Sequence, residues 1–186
     1  MRVLLVDGIA ERAALVASGL AEAGYEVVAI VSDATDLTLR VRDAQAEVIV
    51  CDLDDPGRDA LESMRALNRD EPRPVVLFAN RCEPDQIETA LEAGVAAYVV
   101  EGLTPSRVRP VIEVAIRRFR AHQALREELE TTRATLAARQ AIDAAKARLM
   151  ARQGLSEPDA YRRLRRMAMD RGIRLAEAAS AVLAEK

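Results

Sequence analysis

Five short runs of aliphatic and β-branched residues, separated by stretches of helical periodicity, fill the first 120 residues and restrict the fold more than any other feature. The runs are Val3–Val6, Tyr25–Val31, Val48–Cys51, Val75–Phe78 and Ala97–Val100, and helix-like segments cover 10–23, 34–44, 58–68, 84–93 and 105 onward. Runs that are apolar from end to end suit strands buried on both faces of a parallel sheet. Five βα repeats predict a doubly wound, five-stranded parallel sheet with right-handed crossovers. In such a sheet, ligand chemistry belongs at the carboxyl ends of the strands.

Aromatics are only 3% of the 186 residues, so Leu, Val, Ile and Ala must build the core. No apolar run reaches the roughly 18 residues of a membrane helix. Met1–Asp7 is too short for a signal peptide and reads as a first strand. Cys51 and Cys82 have no metal-like spacing and are expected to be reduced thiols of a cytoplasmic protein. The net charge of −3 conceals a split: residues 139–186 carry eleven Arg and Lys against six Asp and Glu, a net +5, which leaves −8 on residues 1–138. That asymmetry fits an anion-binding tail on an acidic carrier, and equally a solvated helix face. There is no Ser/His/Asp or Cys/His set and no Gly-rich phosphate loop, so neither an enzyme nor a cofactor is expected.

The strand ends carry the next signal. The first run ends at Asp7 and the third at Asp52, which is followed by Leu53, Asp54, Asp55 and Pro56; the fourth follows Arg73-Pro74, and the fifth ends Ala97-Tyr98-Val99-Val100. An acid at a strand end with proline four residues on resembles the phospho-acceptor loop of response-regulator receiver domains, a flavodoxin-like fold. The resemblance covers residues 1–120 and makes Asp52 the acceptor position. It also implies a Mg²⁺ site of acidic side chains, a hydroxyl on strand four and a lysine after strand five. This chain departs at all three, with Gly8 beside Asp7 in place of a second carboxylate, Ala79 for the hydroxyl and Glu101 for the lysine. A phosphoryl group adds about −1.5 to −2 of charge, which Glu101 would repel. The expectation is therefore a degenerate acidic cleft of Asp7, Asp52 and Glu101, without metal or phosphate chemistry. Such a receiver would be switched by a protein partner, on the face made by helix four, strand five and helix five around Tyr98 and Glu101-Gly102-Leu103.

From Pro105 to Gly154 the pattern is helical. Val108, Val111, Ile112, Ala115, Ile116 and Phe119 form a stripe for packing on the sheet. Leu125, Leu129, Thr132 and Leu136 then continue at 4-3-4 spacing among charged residues, about two heptads of a coiled-coil seam on which His122 also falls. A polar helix this long is marginal alone, which predicts a homodimer through 120–140. The expected organisation is a receiver-like domain at 1–120, a connector at 121–138 and a small three-helix domain at 139–186.

In that last segment Gly154 is a C-cap signal, Ser156-Glu157-Pro158-Asp159 a helix start, and Gly172 a second stop before a helix over 174–185. The expected core is Ile142, Ala145, Leu149, Met150, Ala160, Tyr161, Leu164, Met167 and Ala168, with Leu175, Ala178, Ala179, Val182 and Leu183. With Tyr161 inside, no aromatic platform is left for stacking. The string Ala145-Lys146-Ala147-Arg148-Leu149-Met150, then Gly154, then Ala160-Tyr161-Arg162-Arg163-Leu164-Arg165-Arg166-Met167-Ala168-Met169 resembles the ANTAR domain, with Ala147 where that family has glycine. The resemblance implies binding to paired hairpins of a leader RNA and antitermination of transcription, with no DNA target. It points to Lys146 and Arg165; Arg139, Arg148, Arg162 and Arg166 are added on charge alone. A degenerate receiver, a strand-five end of Ala-Tyr-Val-Val-acid-Gly-Leu and an ANTAR tail together resemble the NasT-type regulators. That implies nitrate and nitrite assimilation and a nitrate-binding sensor protein as partner. Two alternatives remain: a phosphorylation-dependent regulator with the same RNA output, and a protein-interaction adaptor.

Overall fold

The computed structural model describes residues 1–53, 56–79, 84–100 and 105–184. In order, the elements are β1 (Arg2–Asp7), α1 (Ala10–Glu22), β2 (Glu26–Val31), α2 (Leu37–Ala44), β3 (Val48–Asp52), α3 (Arg58–Asp70), β4 (Val75–Ala79), α4 (Pro84–Glu92), β5 (Ala97–Val100), α5 (Pro105–Gln153), α6 (Glu157–Arg171) and α7 (Leu175–Ala184). The chain divides into two compact units, Met1–Gln123 and Ala124–Lys186.

In the first unit the expected five-stranded parallel sheet is present, in the order β2-β1-β3-β4-β5. Successive side chains on a strand point to opposite faces. Leu4, Val6, Ile49, Cys51 and Leu77 therefore meet Val41, Met64, Leu67 and Ala90 of α2, α3 and α4. Their neighbours Val3, Leu5, Val48, Val50, Val76 and Phe78 meet Val16 and Leu20 of α1 and Val108, Ile112 and Ala115 of α5. Burial on both faces holds for β1, β3 and β4, whereas the edge strands β2 and β5 are only partly covered. Cys51 is a free, buried thiol, its pKa pushed up to about 12 by burial and by the neighbouring charge of Asp52. Cys82 lies outside the described residues. Tyr98 is partly buried on the side of the sheet that α4 covers.

The order of the sheet creates a switch point. β1 lies between β2 and β3, so the chain leaves its carboxyl end in opposite directions on either side, which is where α/β sheets open a crevice. The parallel register sets Asp7 directly opposite Asp52 there.

α5 continues through Pro110, which lies close to its start. Its residues 124–137 are all exposed, with Leu125 at 66%, Leu129 at 48% and Leu136 at 56%. In the second unit the end of α5 joins α6 and α7 around Ala145, Leu149, Ala160, Leu164, Ala168, Ala178, Ala179 and Val182. Most of these are alanines, so the three helices can approach closely. The stops and starts are those expected: Gly154 and Gly172 are left-handed, and the Ser156 hydroxyl accepts from the Asp159 N–H at the start of α6. Two members of the expected core face outward instead, Met150 and Tyr161.

Candidate functional site

Asp7 and Asp52 are 3% and 2% exposed, so two carboxylates lie side by side in a poorly hydrated crevice. Such a pair is costly without a cation between them. Arg12, in the first turn of α1, supplies it. Its Nε lies 2.9 Å from Asp7 Oδ2 and 3.4 Å from Asp52 Oδ2, and its Nη2 donates to Asp7 Oδ1 and to the Asp52 carbonyl, both at 3.0 Å. The contact with Asp7 is bidentate, the strongest form of the pair. The Ile9 N–H adds a 2.8 Å bond to Asp7 Oδ1. One guanidinium thus ties together the ends of β1 and β3 and the start of α1.

Arg12 was not among the residues singled out from sequence. Its signal was a cation in the first turn of a helix, against the helix dipole, five residues after a strand-ending acid. Magnesium, which a receiver implies, does not fit these residues. The guanidinium fills the space between the two carboxylates. The next carboxylate is replaced by Gly8, where an added Cβ would already meet the Ser32 carbonyl at 3.2 Å. Ala79 ends β4 fully buried and offers no hydroxyl. Glu101 lies outside the described residues, so the cleft is described here as Asp7, Asp52 and Arg12.

The second unit carries the basic candidates. Lys146 bonds Glu157 Oε1 at 2.7 Å and Asp143 Oδ1 at 2.9 Å. These bonds hold the ammonium pKa above its usual range and the Asp143 carboxyl below its own. Arg148 turns inward and donates from Nη1 to the Leu183 carbonyl at 2.9 Å, near the end of α7, where a cation complements unsatisfied carbonyls. Arg162 pairs with Asp159. Arg163, Arg165 and Arg166 are exposed, with no hydrogen bond or ion pair among the described residues, and Arg139 is exposed on α5.

Tyr161 is 41% exposed, against the expectation that it would be core. It follows Glu157 by one turn and precedes Arg165 by one turn, and such residues neighbour each other on a helix surface. Because Glu157 is bonded to Lys146, the series Lys146, Glu157, Tyr161, Arg165 forms one continuous track from α5 onto α6.

Comparison with known proteins gives the class. Residues 3–113 match the response regulator receiver domain and residues 130–183 match the ANTAR domain. The chain belongs to the receiver–ANTAR response regulators. It is 32% identical over 179 residues to the transcriptional regulatory protein PdtaR of Mycobacterium tuberculosis, covering 94% of this chain and 87% of that one. Among solved structures it resembles a two-component response regulator of the LuxR family from Aurantimonas (27% identity, TM-score 0.54, 62% of this chain and 84% of that). It also resembles the chemotaxis protein CheY4 of Vibrio cholerae (20% identity, TM-score 0.52, 60% of this chain and 95% of that), which shows the fold alone. Both matched domains are regulatory, and neither is an enzyme family. Among the described residues no helix is long and apolar enough to cross a membrane.

Proposed function

We propose that this chain is an RNA-binding antitermination regulator whose ANTAR unit grips hairpins of a leader transcript. The observation that carries the reading is the coincidence of the ANTAR match with an exposed cationic face of α6. Arg165 and Arg166 there are open for phosphates, as are Arg163 and, on α5, Arg139. Lys146 and Arg162 are already paired with carboxylates that compete with phosphate for them, and Arg148 supports the fold of the unit. Arginine can also stack on or bond unpaired loop bases, and the exposed Tyr161 ring is a platform for one such base. RNA loops are the target this reading favours because the ANTAR match is joined by exposed residues that offer stacking and charge.

Purified full-length protein should bind a two-hairpin leader RNA in preference to a duplex DNA of equal length over a salt series. Equal affinity for both would refute the reading, and Lys146→Ala and Arg165→Ala should each weaken the RNA complex.

The acidic cleft occupied by Arg12 supports control by a partner protein in place of a phosphoryl group. A nitrate-binding sensor, and with it a place in nitrate and nitrite assimilation, is proposed from the NasT-type resemblance. A pull-down with such a sensor, released by nitrate, tests it. The bare leucines of α5 support pairing of two copies through 120–140. Leu125→Glu with Leu129→Glu should leave a monomer in sedimentation at micromolar concentration, and an unchanged dimer would place the contact elsewhere.

A further inference from the structure

We propose that Arg12 is a built-in replacement for the divalent cation of a receiver: its guanidinium occupies the oxygen-lined space between Asp7 and Asp52 and keeps metal out. Among the described residues its recorded partners are oxygens, namely both carboxylate oxygens of Asp7, Oδ2 of Asp52 and the Asp52 carbonyl. Oxygen donors with two negative charges are what a hard cation such as Mg²⁺ takes. Here the same donors are committed to a cation that is part of the chain. Three of the four lie within 3.0 Å of a guanidinium nitrogen.

The chemistry separates the two kinds of cation. A metal is exchanged with solvent, so its charge comes and goes with concentration and with a phosphoryl group. Arg12 is always charged and is tethered five residues from Asp7, so its charge stays with the cleft and does not exchange with solvent. This first unit then presents a fixed face to whatever binds it, and its stability is independent of divalent ions. The proposal does not depend on the RNA reading, because it concerns the first unit alone.

The test uses the full chain and its thermal unfolding with EDTA, Mg²⁺ or Mn²⁺. The wild type is expected to melt at one temperature in all three. Arg12→Ala leaves two buried carboxylates facing each other. It is expected to melt lower in EDTA and to recover with metal, by about 10 °C when the ion is at about 100 times its dissociation constant. Adding Asp52→Asn to Arg12→Ala should abolish the recovery. Arg12→Lys keeps the charge and should fold without a metal response, which covers the case in which Arg12→Ala is too unstable to purify. Saturable metal stabilisation of the wild type that Asp52→Asn removes would overturn the proposal. So would a folded Arg12→Ala that ignores both ions, or an Arg12→Lys that responds to metal.

Discussion

Replacing Tyr161 by alanine separates two kinds of RNA contact on one helix. The ring is 41% exposed, lies one turn ahead of Arg165 and is not part of the Ala145–Val182 core of the second unit. Alanine is also the best helix former, so α6 should survive the change. If an unpaired base stacks on the ring, its loss costs about 1–3 kcal/mol, or about 5- to 150-fold in dissociation constant. The ring is uncharged, so the slope of log K against log salt should stay as in the wild type. Arg165→Ala instead removes a phosphate partner and should flatten that slope by about 0.7–0.9. Tyr161→Phe should bind like the wild type. Fluorescence anisotropy with a labelled two-hairpin RNA over a salt series reads both quantities, with far-UV circular dichroism as the folding control. Binding by Tyr161→Ala within about twofold of the wild type, against an expected loss of at least about 1 kcal/mol, refutes the stacking contact. A loss accompanied by a flattened slope refutes the division of labour.

Three further outcomes concern stability. Leu164 is fully buried among alanines that cannot expand to fill its space, so Leu164→Ala should destabilise the second unit by about 2–5 kcal/mol in urea unfolding. Gly94→Ala drives a Cβ into the Asn68 side chain at a φ of +94°; the loss should exceed the roughly 1–2 kcal/mol of left-handed strain alone and be read as a lowered melting temperature. The Ser156 hydroxyl and then Arg162 hold the Asp159 carboxyl below its ordinary range. A depressed carboxyl contributes stability that is present above its unfolded pKa of about 3.9 and lost as the pH falls through the folded value. Ser156→Ala should cost about 1 kcal/mol at pH 7 through the lost N-cap, and the part of that loss which rests on the Asp159 carboxylate should fade in melts below about pH 4.

The fold was legible because its signals are local. Apolar runs such as Val48–Cys51 and stops such as Gly172 act within a few residues, and the parallel sheet and three-helix tail follow from them. The acidic cleft was half legible. Asp7 and Asp52 announce themselves at strand ends, but Arg12 does not. Its place in the crevice depends on how the short Gly8-Ile9 turn aims α1, and on the β1–β3 register that sets two acids side by side. Tyr161 failed for the same reason in reverse. Periodicity put it on the apolar stripe with Leu164 and Ala168, yet it falls at the edge of that stripe. Only the packing of α6 against α5 and α7 shows that the edge is open.

Composition misleads most in the tail, where a count of cations is not a count of available cations. Lys146 is neutralised by two carboxylates, Arg162 by one, and Arg148 is spent on the Leu183 carbonyl. Among the described residues of the tail, the cations open to RNA without breaking an existing pair are Arg139, Arg163, Arg165, Arg166, Arg171 and Arg174. At about 0.7–0.9 per phosphate neutralised, they predict a salt slope of about −4 to −5 for each chain. The eleven basic residues of 139–186 would give one about twice as steep. A measured slope near the lower figure means the Lys146 and Arg162 pairs persist in the complex. A slope steeper by about one to two means that RNA displaces Asp143, Glu157 and Asp159. In that case Glu157→Gln should tighten binding, since it removes a competitor for the same ammonium.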